Sequence, residues 1–271
     1  MSALEAIVLG LVQGLTEFLP ISSSGHLRIV PALLGWEDPG AGFTAVIQLG
    51  TMAAVLLYFR ADLWRIAIAW LRELRVPFKR ASVEARLGWF IVLGTIPISI
   101  FGFLFRDQIE SGARDLYLIG SALIVFSFVM LFAEHIGSRR RGLGEMNGRD
   151  GFFIGMAQSL ALVPGVSRSG ATISAGLLRG FDRVAAARYS FLLSVPAVVL
   201  SGLFELRKIG TDGSASVEAT AIATLVAFAA GYASIAWLLR YLTTHTLNVF
   251  VVYRILLGLL VLSLAAKGAI G

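Results

Sequence analysis

Six stretches of this chain, at about 43–60, 87–105, 117–135, 186–206, 217–240 and 248–268, run for 18 residues or more with at most two charged residues each. An α-helix rises about 1.5 Å per residue, so such stretches match the roughly 30 Å hydrocarbon core of a bilayer. Inside lipid every backbone donor and acceptor must be paired within the protein, which leaves helices as the structure for runs of this length. The composition agrees: 57% of the 271 residues are hydrophobic and 15% charged, against roughly 25% charged in soluble domains. The expected fold is an all-α polytopic membrane protein forming a single integral membrane domain over 1–271, embedded in the lipid bilayer. No polar stretch is long enough to fold as a separate soluble unit. The first apolar run begins at Leu4 with no basic residue before it and leads into Ser22-Ser23-Ser24-Gly25-His26. It is therefore not read as a cleaved signal peptide. The chain has no cysteine, which excludes disulfides and thiolate metal sites.

The formal net charge of +6 implies no nucleic-acid partner, because basic loops have a simpler meaning in a membrane protein. Arg60, Arg65, Arg72, Arg75, Lys79, Arg80 and Arg86 lie in the connection 60–86, and Arg139, Arg140, Arg141 and Arg149 in 136–150. Arg179, Arg183, Arg188 and Arg240 fall on the same side. The opposite side holds Arg28, Arg106, Arg114, Arg207, Lys208 and Lys267, while Arg168 and Arg254 lie at membrane depth. The positive-inside rule puts the richer side in the cytoplasm, with both termini outside. Glu134, His135, Glu205 and Arg207 read as interfacial, and His245 as an unremarked loop residue.

The chain also repeats itself. Gly10-Leu-Val-Gln13-Gly-Leu-Thr-Glu17-Phe-Leu-Pro20-Ile-Ser22-Ser-Ser-Gly25 resembles Gly155-Met-Ala-Gln158-Ser-Leu-Ala-Leu-Val-Pro164-Gly-Val-Ser167-Arg-Ser-Gly170 once one residue is skipped before the proline. Three spans follow each copy. An odd number per repeat makes the halves, about 1–135 and 150–271, an inverted-topology pair. Each copy is broken by proline, which removes a backbone donor. Arms such as 27–35 and 152–163 are too short to cross the membrane. Both copies are thus expected to be re-entrant helical hairpins, additional to about six transmembrane helices, with tips that meet. Exposed backbone is tolerated there only inside protein or facing a water-filled cavity.

The chemistry sits on those tips. Pro164-Gly165-Val166-Ser167-Arg168-Ser169-Gly170-Ala171-Thr172 precedes a new helix, whose first N–H groups and positive dipole end favour anions. Arg168 offers a planar fork for phosphate oxygens, and Ser167, Ser169 and Thr172 add hydroxyls beside Gly170. The expected ligand is a phosphate or diphosphate. On the first tip Gln13 and Glu17 share a helix face. Glu17, at membrane depth, must be protonated, paired with Arg168 or bound to a cation. Ser22, Ser23, Ser24 and His26 follow, and a carboxylate, hydroxyls and an imidazole close together suit nucleophilic or acid–base work. Arg254 could be structural, could pair with an internal acid, or could touch an anionic headgroup. No metal-ligand spacing occurs; a divalent cation, Mg²⁺ or Ca²⁺, is expected only as a passenger on a diphosphate, with Glu17 as its protein ligand.

At the two tips the sequence resembles the undecaprenyl-diphosphate phosphatases, the bacitracin-resistance protein family. Its signatures appear as Gln13-Gly-Leu-Thr-Glu17, with Gln where the family also has Glu, as Pro20-Ile-Ser22-Ser23-Ser24-Gly25-His26, and as Pro164-Gly165-Val166-Ser167-Arg168-Ser169-Gly170-Ala171-Thr172. The resemblance covers essentially the whole chain. It implies hydrolysis of the C55 isoprenoid diphosphate to the monophosphate carrier of peptidoglycan synthesis, bacitracin resistance, and a site on the outer face of the bacterial cytoplasmic (inner) membrane. It further implies that Arg168 holds the diphosphate, that Glu17 with His26 drives hydrolysis, and that Ser23 attacks or stabilises the transition state. Gln13, Ser22, Ser24, Ser167, Ser169, Gly170 and Thr172 would complete the substrate site. The attacking group, the metal requirement and assembly into a homo-oligomer stay open. A second lipid-phosphatase pattern shares Ser24-Gly25-His26 but requires a His where this chain has Ser174, and is rejected. The competing class is a polyprenyl-phosphate transporter using the same anion site, which needs Arg168 but no acid–base pair.

Overall fold

The computed structural model describes residues 1–112, 114–205 and 216–270, with backbone alone at 41, 110–112 and 201–205. Among these residues there are twelve α-helices and no β-strand. Six of them coincide with the expected spans: α3 (Gly40–Tyr58), α5 (Val83–Leu104), α7 (Leu116–Ile136), α10 (Arg183–Glu205), α11 (Val217–Tyr241) and α12 (Asn248–Ala266). Five are long and apolar enough on their own to cross a membrane, and α3 qualifies together with the helix that follows it. The first hairpin is α1 (Ala3–Phe18) and α2 (Ser23–Leu34), and the second is α8 (Gly148–Gln158), a 3₁₀ turn (Ser159–Leu162) and α9 (Arg168–Leu178). The chain is thus an all-helical, multi-pass membrane protein. Helix α6 (Arg106–Gly112) follows α5.

Neither α6 nor one longer helix was visible to a reading by run length. Within the basic connection 60–86, α4 (Arg60–Arg72) turns 73° away from α3. Its sequence is amphipathic: Ile66 is buried, while Arg60 and Arg65 are exposed and Trp64 is 70% exposed. Charges spaced around one apolar face dilute hydropathy without preventing a helix.

Small residues allow the hairpins to pack closely. Helix α1 lies against α11, where a Cβ on Gly10 would sit 2.5 Å from the Ala223 carbonyl oxygen and one on Gly14 2.5 Å from the Ala230 Cβ. Helix α8 lies against α5 in the same way, with a Cβ on Gly155 falling 2.6 Å from the Gly94 Cα. Helix–helix association in lipid depends on such close approach. α7 packs on α12 and α3 on α10, so each half supplies packing partners to the other. Replacing Gly155 by Val is expected to cost about 1–3 kcal/mol by overpacking. Gly142→Val, at a glycine with nothing within 4 Å of an added Cβ, is the control. Equal melting midpoints of the two purified variants would contradict the packing account.

Two carboxylates beside the arginine-rich connections are buried. Glu134, expected at a solvated interface, is instead 4% exposed. It accepts from Arg183 Nε at 2.9 Å, Arg139 Nη1 at 3.0 Å and the Leu247 N–H at 3.2 Å. The last turn of α7 is enclosed by the starts of α10 and α12, so the acid meets arginines in place of water; His135 beside it is exposed. Asp150, fully buried, accepts from Arg141 Nη2 at 2.6 Å and Arg179 Nε at 2.7 Å, tying both arms of the second hairpin at its base. His245 is exposed and stacked on Tyr241. The interfacial reading of Glu205 and Arg207 concerns side chains outside the described residues, as does Lys208.

Candidate active site

Both hairpins break at a proline, and the residue before each, Leu19 and Val163, is extended with ψ of 144° and 119°. That is the conformation proline imposes on its predecessor. Each break then ends on a serine with positive φ that caps the next helix, Ser22 at 77° and Ser167 at 78°. Ser22 Oγ accepts the Gly25 N–H at 3.4 Å, and Ser167 Oγ the Gly170 N–H at 3.1 Å. The hydroxyls of Ser22 and Ser24 are 3.3 Å apart, those of Ser167 and Ser169 3.1 Å. The pairing of Ser22–Gly25 with Ser167–Gly170 therefore holds for backbone and caps alike. The second arm of the first hairpin starts earlier than expected, at Ser23, because Ser22 caps it. Gly165 has φ of 92°, and an added Cβ would lie 2.6 Å from the Ile119 carbonyl oxygen; only glycine fits there.

The two tips meet. Glu17, in the last turn of α1, forms an ion pair with Arg168, the first residue of α9. Of the three fates open to Glu17, the structure shows pairing. Ser23 Oγ donates to Glu17 Oε2 at 2.7 Å and Gln13 Nε2 to the same oxygen at 3.1 Å. Gln13 also reaches Thr51 Oγ1 at 3.4 Å, while its Oε1 is buried with no hydrogen-bond partner among the described residues. A cavity of about 190 Å³ opens over these groups, lined by Gln13, Glu17, Ser22, Ser23, Ser24, Ser167 and Arg168, with Leu27, Thr44, Gln48, Ile98 and Ala161 around them. The N-terminal ends of α2 and α9 both open on it. The first N–H groups of a helix lack intrahelical acceptors and carry its positive dipole end. Two such ends and a guanidinium facing one carboxylate make a cavity suited to a multiply charged anion. Behind the ion pair lies a recess of about 10 Å³ bounded by Ser169, Ser190 and Ser194, room for about one water.

Four expected residues are held elsewhere. Ser169 Oγ donates to the Leu19 carbonyl at 3.0 Å, linking one tip to the other. Thr172 Oγ1 bonds the Arg168 carbonyl at 2.8 Å and Ser190 Oγ at 2.6 Å. The Gly170 N–H is taken by its cap. His26 is 5% exposed; Nδ1 meets the Ser22 carbonyl at 2.8 Å and Nε2 the Tyr253 hydroxyl at 2.6 Å, and it does not line the cavity. Sequence reasoning missed Thr44, Gln48 and Thr51. Their spacing, one face of a helix in an otherwise apolar span, was the available signal. Arg254 pairs with no acid among the described residues: its hydrogen bonds go to three main-chain carbonyls and to Ser127.

These features define a polytopic α-helical membrane protein whose candidate cavity lies between two broken hairpins and is built around one buried acid–arginine pair. Residues 6–260 match the family Bacitracin resistance protein BacA, and the chain belongs to that family. It is 54% identical, over 98% of both chains, to an undecaprenyl-diphosphatase of Nocardioides sp.. It is 53% identical to the undecaprenyl-diphosphatase of Thermobifida fusca, covering 100% of this chain and 92% of that one. To the undecaprenyl-diphosphatase of Myxococcus xanthus it is 55% identical, covering 99% and 91%.

Proposed function

We infer that this protein is an undecaprenyl-diphosphate phosphatase, converting undecaprenyl diphosphate and water into undecaprenyl phosphate and inorganic phosphate. The observation that carries the reading is Glu17, bonded at once to Arg168 and to the Ser23 hydroxyl inside a cavity headed by two helix N-termini. Arg168 and the first-turn N–H groups of α2 and α9 hold the diphosphate and stabilise charge that builds on its outer phosphate. Glu17 takes the proton of the attacking hydroxyl, which is Ser23 or a water in its place. The anhydride P–O bond breaks and the lipid monophosphate leaves; a phosphoserine, if formed, is hydrolysed by water. Gln13, Ser22, Ser24 and Ser167 orient the phosphates. Ser169, Gly170 and Thr172 shape the tip, and His26 acts through the Ser22 carbonyl that it grips.

A divalent ion fits as a passenger of the substrate. No cluster of three His, Cys, Asp or Glu side chains occurs among the described residues. Glu17 and the unpartnered Gln13 Oε1 are the oxygens that would hold Mg²⁺ or Ca²⁺ beside the diphosphate. Such an ion would neutralise phosphate charge. The proposed setting is the bacterial cytoplasmic membrane, with the two halves in opposite orientations and the cavity open to the outer face. Two features support this. Arginine-rich connections crowd one side, and the cavity runs past Thr44, in the second turn of α3, whose other end leads into basic α4. The product would re-enter peptidoglycan synthesis, and faster recycling would give bacitracin resistance.

Purified protein given undecaprenyl diphosphate in detergent is expected to release inorganic phosphate, and chelator is expected to slow the release at least about tenfold if the ion neutralises phosphate charge. Lipid movement across vesicles without phosphate release would favour the transporter reading instead. The Ser23–Glu17 contact favours hydrolysis, since moving an anion needs no base.

A further inference from the structure

Arg254 is fully buried in α12. Nη1 donates to the carbonyls of Pro20 and Val166, each at 3.1 Å, and Nη2 to that of Gly165 at 2.9 Å. Nε donates to Ser127 Oγ on α7 at 3.2 Å, and the guanidinium carbon lies 5.8 Å from the centre of the Phe126 ring. Pro20 belongs to the first tip; Gly165 and Val166 belong to the second. One side chain from a third element thus grips the main chain of both breaks. A buried charge is costly unless its donors are satisfied, and these four acceptors take four of the five N–H donors of the guanidinium.

We propose that Arg254 is a positioning residue for diphosphate hydrolysis, holding the two tips in the register that brings Glu17 and Ser23 to Arg168. The proposal rests on the reading of this cavity as the hydrolytic site. Arg254 does not line the cavity, so it acts through the backbone it holds.

Three observations converge. First, Ser22 and Ser167 are non-glycine residues at φ near 78°, a conformation that costs about 1–3 kcal/mol and persists only where its surroundings over-determine it. Arg254 holds a carbonyl two residues before Ser22 and another immediately before Ser167. Second, a trans peptide points its C=O and N–H in opposite directions. Turning the Val166 carbonyl toward Arg254 therefore turns the Ser167 N–H away from it, and so sets the direction of a donor at the head of α9. Third, the task needs a fork. A planar guanidinium spans acceptors from two chain segments at fixed angles, which a lysine ammonium does not. Ser169 adds one further link, to the Leu19 carbonyl, but it joins the tips to each other and not to a third helix.

The test is steady-state kinetics of phosphate release with melting midpoints for Arg254→Met, Arg254→Lys and Ser127→Ala, with Arg168→Ala as reference. Displacing reacting groups by about 1 Å costs on the order of 100-fold in rate. Arg254→Met is accordingly expected to lower kcat of the folded protein about 100-fold, with KM changed by less than about threefold. Arg168→Ala is expected to raise KM. If Arg254→Met fails to fold, Arg254→Lys, which keeps charge and bulk but not the fork, carries the test with a loss of kcat of about tenfold or more. Ser127→Ala, removing one acceptor, is expected to lose a few-fold in kcat. The proposal is overturned if a folded Arg254 variant keeps wild-type kcat and has only a lowered melting midpoint. It is equally overturned if KM rises while kcat is kept, since Arg254 would then be a binding group. Wild-type kinetics in Arg168→Ala would sink the reading of the site itself, whatever the Arg254 variants do.

Discussion

Glu17→Gln is expected to reduce phosphate release by about 10³-fold in a protein that still folds, the range set by losing a general base. The carboxamide has nearly the shape of the carboxylate and can still accept from Ser23, which now donates to Oε2 at 2.7 Å. It cannot take a proton from the attacking hydroxyl. It also releases Arg168 from its ion pair, so the anion should bind no more weakly than before. The expected signature is a collapse of kcat with KM unchanged or lower, measured with undecaprenyl diphosphate. Full turnover by Glu17→Gln would show that the base lies elsewhere.

Arg168→Ala should be as damaging for a different reason. The guanidinium is the one cationic side chain lining the cavity among the described residues, and removing a charged donor aimed at a reacting oxyanion costs about 10²–10³-fold in rate. Here KM should rise as well, giving a loss in kcat/KM of about 10³-fold or more, only partly recovered by Arg168→Lys. The substitution also strands Glu17, whose side chain is 6% exposed. Removing one member of a buried pair is destabilising by about 3–5 kcal/mol, whereas neutralising both is far milder. The double variant Glu17→Gln/Arg168→Ala should therefore melt higher than Arg168→Ala while remaining inactive. If the double variant melts lower, the pair is not buried as described.

Much of this arrangement was legible in the sequence because it rests on short-range rules. Six apolar runs marked six helices. Pro20 and Pro164, each followed by serines and a glycine, marked two breaks, and an internal similarity across 145 positions of offset at Gly10 and Gly155 marked the breaks as counterparts. Pairing of Glu17 with Arg168 was one of the three fates left open by the cost of an unpaired charge at depth. What escaped was tertiary. Nothing local says that Glu134 is enclosed by the starts of two later helices, or that His26 meets Tyr253 across 227 residues. Arg254 could be seen as anomalous, but three of its four partners are main-chain carbonyls, which leave no trace in residue identity. Thr44, Gln48 and Thr51 were readable as a polar stripe and were passed over because the span around them is apolar.

The pair between Glu17 and Arg168 has a consequence for turnover. The Glu17 carboxylate is paired with the Arg168 guanidinium, so on the proposed mechanism an arriving diphosphate displaces an internal carboxylate to reach it. Binding becomes an exchange of one anion for another, with net affinity well below the gross attraction. The same exchange runs backwards once the anhydride is cleaved. On the proposed mechanism Glu17 would compete with orthophosphate for Arg168 without having to diffuse, and so would help to eject the product.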